Sequence, residues 1–291
     1  MAREGMRYWR LKPDARLRPW IVCYWMVEPD RETESDADPD KLQLLIPDGH
    51  SEIVFRFAGS FSRWGIDTPE KRAQMAASYV IGGRSKSVFT RSNGGLRLAG
   101  VKLDPRALRA LIGMPLGEFR DTTVACADIG LTALSELEER IPNLQSVDQL
   151  AGTFDQFFLG RMTDELGERD PVSHLLERIR TMRGSQSILQ WAREHRVDPR
   201  TLERRFIAQV GMAPKQFARI ERFKYSYHLL GTPEPSKSRA YLEPYYDESH
   251  FNREFRRFLG MSPITWLNHR AESRTTISDH LLEGELSAAE T

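Results

Sequence analysis

The chain has 291 residues, 40% hydrophobic and 29% charged, with a formal net charge of +1, which is ordinary for a globular protein of about two domains with enough apolar material for a core. No apolar run approaches the ~18 residues of a membrane helix, and the opening "MAREGMRYWRLKPD" lacks the apolar stretch of a secretory signal. Cys23 and Cys126 stand outside any CxxC, so they read as reduced core thiols of a cytoplasmic protein with no metal and no cofactor.

The small net charge conceals a division. Residues 171–270 carry 18 Lys and Arg against 10 Asp and Glu, while the rest of the chain is acidic. A basic segment on an acidic protein points to a polyanionic partner for that segment, or to chance variation in surface charge.

In chain order, the first third reads as short strands rich in β-branched and aromatic residues: 19–28, 41–47, 51–59, 78–83, 87–93 and 95–103. Turn chemistry stands between them at "PDGH" (47–50) and "SNGG" (92–95). Six such strands argue for a sandwich or barrel over residues 1–125. The acidic stretch 30–41 reads as a solvated loop. From Asp104 the period becomes helical, with Pro105 in a first turn and Gly113 as a stop, and helical patterns continue at 131–141 and 146–166. These place a helical connector at 126–170. "RDP" (169–171) breaks the chain and sets the main domain boundary.

Beyond it, two segments forty-nine residues apart repeat each other: "RRFIAQVGMAPKQF" (204–217) and "REFRRFLGMSPITW" (253–266). In the first unit a helix over 187–197, capped by Ser187, precedes a second over 198–211, with Asp198 as cap, Pro199 in the first turn and Gly211 as terminator. Two helices joined by a turn of a few residues form a helix-turn-helix, whose second helix enters the DNA major groove. The second unit predicts the same layout, a first helix over 236–246 and a second over 247–260, capped by Asp247 or Ser249. Between them 214–230 reads as one rod, long enough to hold two reading helices about one turn of DNA apart.

The string "DESHFNREFRRFLGMSPITW", backed by "TLERRFIAQVGMAPKQF", resembles the C-terminal DNA-binding domain of the AraC/XylS family of bacterial transcription regulators over residues 171–270. The resemblance implies that Arg200, Glu203 and Arg204 of the first reading helix face bases, and that Glu248, Ser249, His250, Asn252 and Arg253 do so in the second. Lys215 and Gln216 would then reach phosphates through side chains and N–H groups. One departure stands out: Pro244-Tyr245 occupies the place where the family has Gly-Phe.

"LRPWIVCYWMVE", "LIPDGHSEIVF" and "LAGVKLDPRALRALIGMPLGEFRD" resemble the N-terminal domain of a less characterised branch of the same regulators. This implies an α+β chain: a cupin-like β-domain that holds a small effector, then the helical double reader, and a polar tail over 271–291. The connector helices either form a homodimer or pack under the barrel. Candidate effector-binding residues are Trp25, Asp48, Glu52, Phe55 and Arg84. His50 is the only histidine before position 174, too few for a cupin metal centre, and no catalytic motif is present, so an enzyme is not expected. The expected partners are double-stranded DNA, a small effector, RNA polymerase if the protein activates, and no membrane. The rival is a DNA-binding regulator controlled by protein partners or dimerisation without a ligand.

Overall fold

The computed structural model describes residues 6–29, 42–92, 95–144, 146–162, 170–231 and 239–272; the acidic stretch 30–41 and the tail beyond 272 lie outside the described residues. The N-terminal part is built on two antiparallel sheets. The larger has the order β1-β2-β9-β4-β7-β10, made of β1 (Met6–Leu11), β2 (Ile21–Pro29), β4 (Ser51–Ala58), β7 (Ser78–Ile81), β9 (Arg97–Leu103) and β10 (Thr123–Ala125). The smaller has the order β3-β8-β5-β6, from β3 (Leu42–Leu45), β5 (Phe61–Gly65), β6 (Thr68–Gln74) and β8 (Val88–Ser92).

Strand periodicity divides the large sheet's side chains cleanly. Trp25, Val54, Tyr79 and Leu98 pack on one face in a core shared with Phe61 of the small sheet, the barrel interior. Ile53, Phe55, Val80 and Val101 lie on the other face, beneath helices α1 (Pro105–Ile112), α3 (Thr132–Arg140) and α4 (Val147–Leu159), the short α2 (Cys126–Ile129) preceding α3. Leu134, Leu137, Leu150 and Phe154 turn inward there, with the Phe154 ring 5.0 Å from Tyr24 and 6.0 Å from Phe55. The apolar faces of the connector helices are therefore used against the sheet. Of the two roles left open for them, packing under the barrel is the one these contacts support.

Each of the six expected strands is present with ends shifted by one or two residues, β2 running to Pro29 and the others trimmed. β1, β5, β6 and β10 were not legible. β6 is the clearest case: "TPEKRAQ" is almost wholly exposed and contains Pro69, which a strand tolerates at the edge of a sheet, where β6 lies. The turn expected at 47–50 is a crossover from β3 in one sheet to β4 in the other, and Asn93 and Gly94 of the second expected turn lie outside the described residues.

The C-terminal part holds α5 (Pro171–Thr181), α6 (Ile188–Glu194), α7 (Pro199–Val210), α8 (Pro214–Gly231), α9 (Glu248–Leu259) and α10 (Pro263–Glu272). Phe206, Phe217, Phe223, Phe255 and Trp266 form its aromatic core. Local chemistry explains the repeat: Asp198 caps α7 by accepting from the Thr201 N–H at 2.8 Å, and Asp247 caps α9 by accepting from the His250 N–H at 2.6 Å. Both helices end on a left-handed glycine, Gly211 and Gly260.

One expectation fails. The first helix of the second unit, read over 236–246, is a single 3-10 turn at Ala240–Leu242 among the described residues, and 232–238 lie outside them. Glu243 and Tyr245 donate back three residues, to Ala240 and Leu242, but Pro244 between them has no N–H to give, so a longer helical ladder is interrupted there.

The two parts share a packed seam. Ile46, just past β3, belongs to the helical core, and the 3-10 turn Leu116–Phe119 lies against α7. Gly49, at φ 79°, presses so close to α8 that a Cβ would lie 2.8 Å from the Glu221 carboxylate and 3.1 Å from Phe217.

Candidate nucleic-acid interface and effector site

Arg200 and Arg204 are one helical turn apart on α7, and both are exposed, as is Glu203 between them. Further along α7, Ile207 leans on Gly117 of the barrel domain, and Arg205 and Gln209 are tied to Asp170 at 3.1 and 2.7 Å. The N-terminal half of α7 is thus open while its C-terminal half is anchored. That is the arrangement a reading helix requires, since its first turns approach the base edges.

On α9, Glu248, Ser249 and Arg253 are exposed, whereas His250 and Asn252 are half-buried. The His250 ring packs edge-on against Tyr245, and Glu248 lies 3.6 Å from Arg239. Ser249, Asn252, Arg253 and Arg256 share a face by helical spacing. At the start of α8, Lys215 is exposed and Gln216 half-buried. The Gln216 N–H donates to the Ala213 carbonyl at 3.0 Å and is not free, so any phosphate contact by that residue would fall to its side chain. Sequence reading missed Tyr246, which stands just before the α9 cap with 94% of its surface exposed. Only its place beside Asp247 could have marked it.

Behind α9, the buried Glu254 carboxylate joins Arg219 and Arg222 of α8. This pairing fixes the second reading helix on the rod that also carries the first.

The five candidate effector residues are not brought to one place. Trp25 lines the barrel interior; Phe55 lies on the opposite face of the same sheet, under α4, because adjacent strand positions alternate and the two belong to different cores. Asp48 sits in the domain seam, with Lys102 at 2.7 Å and its own carbonyl accepting from Lys224 of α8 at 3.3 Å. Burial pushes the Asp48 carboxyl up, but Lys102, His50 and Arg84 outweigh it and hold it well below the ordinary carboxylate range. Glu52 and Arg84 form a buried pair at 3.2 Å.

A second set of charges crosses the seam. Asp104, the α1 cap, receives Arg106 at 2.8 Å and Arg180 of α5 at 2.7 Å. Burial again opposes ionisation, and the Arg180 and Arg106 charges overcome it, so this carboxyl too lies well below its usual range. A cleft of about 440 Å³ opens beside this trio, lined by Trp20, His50, Arg106, Glu177 and Arg180 among others.

Comparison with known proteins locates two domains in the chain. Residues 191–269 match a family model described as a helix-turn-helix domain, and residues 9–125 match a domain of unknown function (DUF6597). No curated protein matches the sequence. Among solved structures, ToxT from Vibrio cholerae O395 is 14% identical with a TM-score of 0.42, covering 90% of this chain and 96% of its own. An unsaturated fatty acid bound form of ToxT from Vibrio cholerae strain SCE256 is 14% identical at a TM-score of 0.44, covering 94% and 100%. The C-terminal domain of AraT, a response regulator from Geobacillus stearothermophilus, is 21% identical at 0.31, covering 39% and 95%. Likeness at this level carries no argument about ligand or partner.

Proposed function

We propose, from the premise that the C-terminal part of this chain is an AraC-type helix-turn-helix domain and the protein a DNA-binding transcription regulator, that α7 and α9 read successive major grooves on one face of DNA. The observation that carries this reading is the pair of reading helices with matching Asp caps and glycine stops, joined by the 18-residue α8 and presenting Arg204 and Arg253 to solvent. At 1.5 Å per residue α8 spans about 27 Å, which with the widths of the units at its ends approaches the ~34 Å between successive major grooves. Lys215 and Gln216 at its start fit phosphate contact, which sets register without reading sequence.

The finer part of the proposal is control. A small effector held by the N-terminal domain alters the seam against which α7 is anchored, and so changes how the first reader presents Arg200 and Arg204. What supports this is the direct path from barrel to reader, through the Leu116–Phe119 turn on α7, the bond from Lys224 of α8 to the Asp48 carbonyl, and the close approach of Gly49 to α8. Contacts with RNA polymerase, in an activator, and between two copies belong to the same proposal.

Footprinting on the genome, followed by binding of wild type, Arg204→Ala and Arg253→Ala to the recovered site, tests the reading. Two protected grooves are expected, each variant relaxing specificity in a different one. Protection of one groove alone, with Arg253→Ala silent, would remove the second reader from the proposal.

A further inference from the structure

A second cleft, of about 340 Å³, opens between the outer face of the large sheet and the first turn of α4. Its volume lies in the range of roughly 300–1,000 Å³ where small-molecule sites fall. Strand register builds the wall on the sheet side. Trp9 of β1 stands opposite Met26 of β2, and Arg7 opposite Glu28, so all four share the face on which Met26 meets the core beneath α4. Phe57 joins them from β4, and Leu144, Val147 and Leu150 close the cleft from the helical side. Leu150 is buried in the core beneath α4, while Trp9, Met26, Phe57, Leu144 and Val147 are only half-buried. The floor of the cleft is therefore apolar and continuous with that core.

Charge is confined to three of the residues that line it: Arg7, Glu28 and Arg97. Glu28 is engaged by Arg97 at 3.2 Å. Arg7 is exposed and makes no ion pair among the described residues; its guanidinium lies 4.8 Å over the Trp9 ring. Arg97 lies over Phe57 at the same distance. These cation–π contacts keep both guanidinium groups beside the aromatic wall. The cleft thus joins an apolar floor to a rim with one surplus positive charge. The larger cleft at the seam differs, since Arg106 and Arg180 there are already engaged by Asp104 and Glu177.

We propose that this outer cleft binds a small amphipathic monocarboxylate, its apolar body on Trp9, Met26, Phe57 and Leu150 and its carboxylate at the rim against Arg7 and Arg97. Guanidinium forks match carboxylate geometry, and a single surplus charge favours a monoanion over a phosphate dianion. The half-covered rings and aliphatic side chains select an apolar or aromatic body. None of the five effector residues expected from sequence lines this cleft. The ligand accordingly sits outside the barrel, touching the sheet and the first turn of α4 at once. This inference rests on the reading of the N-terminal domain as an effector domain, and it names the place and the chemical class of that effector.

Calorimetric titration of the full chain tests it, for wild type, Arg7→Gln, Glu28→Gln and Val147→Trp, with benzoate, phenylacetate, hexanoate, octanoate, their primary amides and inorganic phosphate. At least one carboxylate is expected to bind wild type, its amide at least about tenfold more weakly. Arg7→Gln, at an exposed position, should weaken that carboxylate about three- to tenfold, and Glu28→Gln, which removes the negative charge of the rim, should tighten it. Opposite signs at two residues facing each other across one strand pair would not arise from general loosening of the fold. Val147→Trp, which fills the cleft, should abolish binding; if it fails to fold, the two charge variants decide the matter. The proposal is overturned if no carboxylate binds, if an amide or phosphate binds as tightly, or if Arg7→Gln and Glu28→Gln both leave the affinity unchanged. Footprints taken with the ligand separate this site from the wider reading. Arg7-dependent binding with an unchanged footprint keeps the site and removes its control of the readers. A footprint altered by a carboxylate whose affinity ignores Arg7 and Glu28 keeps the effector domain and overturns this site.

Discussion

The two reading units are written in nearly the same words and are held in different ways. The first has a complete leading helix, α6, and its reading helix is anchored from the barrel side by Gly117 and from α5 by Asp170, the α5 cap. Among the described residues the second leads in with one 3-10 turn, and its reading helix is fixed from behind by Glu254 against Arg219 and Arg222 of α8. The repeated sequence specifies what is local: cap, apolar face and glycine stop. What lies upstream of each helix, and what it leans on, is not repeated. Under the proposed control, a signal passing across the seam would reach the first reader directly and the second through α8.

The largest effect that can break this comparison lies in the seam. Asp48→Ala removes the 2.7 Å partner of Lys102, whose side chain is fully buried, and should cost about 3–5 kcal/mol in chemical denaturation. A cost under about 1 kcal/mol would mean that the Asp48 carboxylate does not carry the buried Lys102 charge; the variant leaves in place the bond across the seam, from Lys224 to the Asp48 main-chain carbonyl. The pH dependence has a definite sign. Asp48 and Asp104 are both depressed in the folded protein, so their contribution is complete above the unfolded carboxylate range near about 4 and is lost as pH falls below it. Acid titration should therefore loosen the seam, and Asp48→Ala should flatten the stability profile below about pH 4.

Next come the base contacts. Arg204→Ala and Arg253→Ala are each expected to cost ~1–3 kcal/mol of binding to the recovered site, at different grooves. If effector alters only the Arg204 groove, the asymmetry of the two anchors is the route of control; equal change at both would place it in α8. Smaller still are the caps: Asp198→Ala and Asp247→Ala should each lower stability by about 1 kcal/mol. Near equality is the expected outcome, since both caps make the same bond; a much larger loss at Asp198 would show the first unit to be the one that holds the domain together.

What sequence could reveal follows the same division. Asp198, Gly211, Asp247 and Gly260 act over three or four residues, so their roles were readable, and β4 was readable as a strand from its β-branched and aromatic residues, though not that both its faces are buried. Phe55 and Trp25 were nevertheless grouped as neighbours, because periodicity within one strand does not tell which face of another strand it matches. β6 was hidden by its edge position, which permits charge and proline. Arg63 shares a face of β5 with Phe61, but its burial beside Glu52 and Arg84 depends on other strands, which periodicity within β5 does not fix. Arg200, Arg204 and Arg253 are exposed because helical spacing alone sets a helix surface.

Pro244→Ala makes the finest distinction. It returns an N–H between Glu243 and Tyr245, where the 3-10 bonds to Ala240 and Leu242 already run on either side, so the turn can extend toward a regular leading helix. Stability should change by less than about 1 kcal/mol, because Pro244 is only half-buried and loss of its rigidity offsets the new bond. Tyr246 should feel the change most, standing two residues on, at the mouth of α9, with 94% of its surface exposed. Footprints of the variant are expected to differ from wild type at the second groove and to coincide at the first. Change at the first groove would mean that the lead-in of the second unit sets the angle of α8, making the two readers a single rigid body rather than two separately anchored helices.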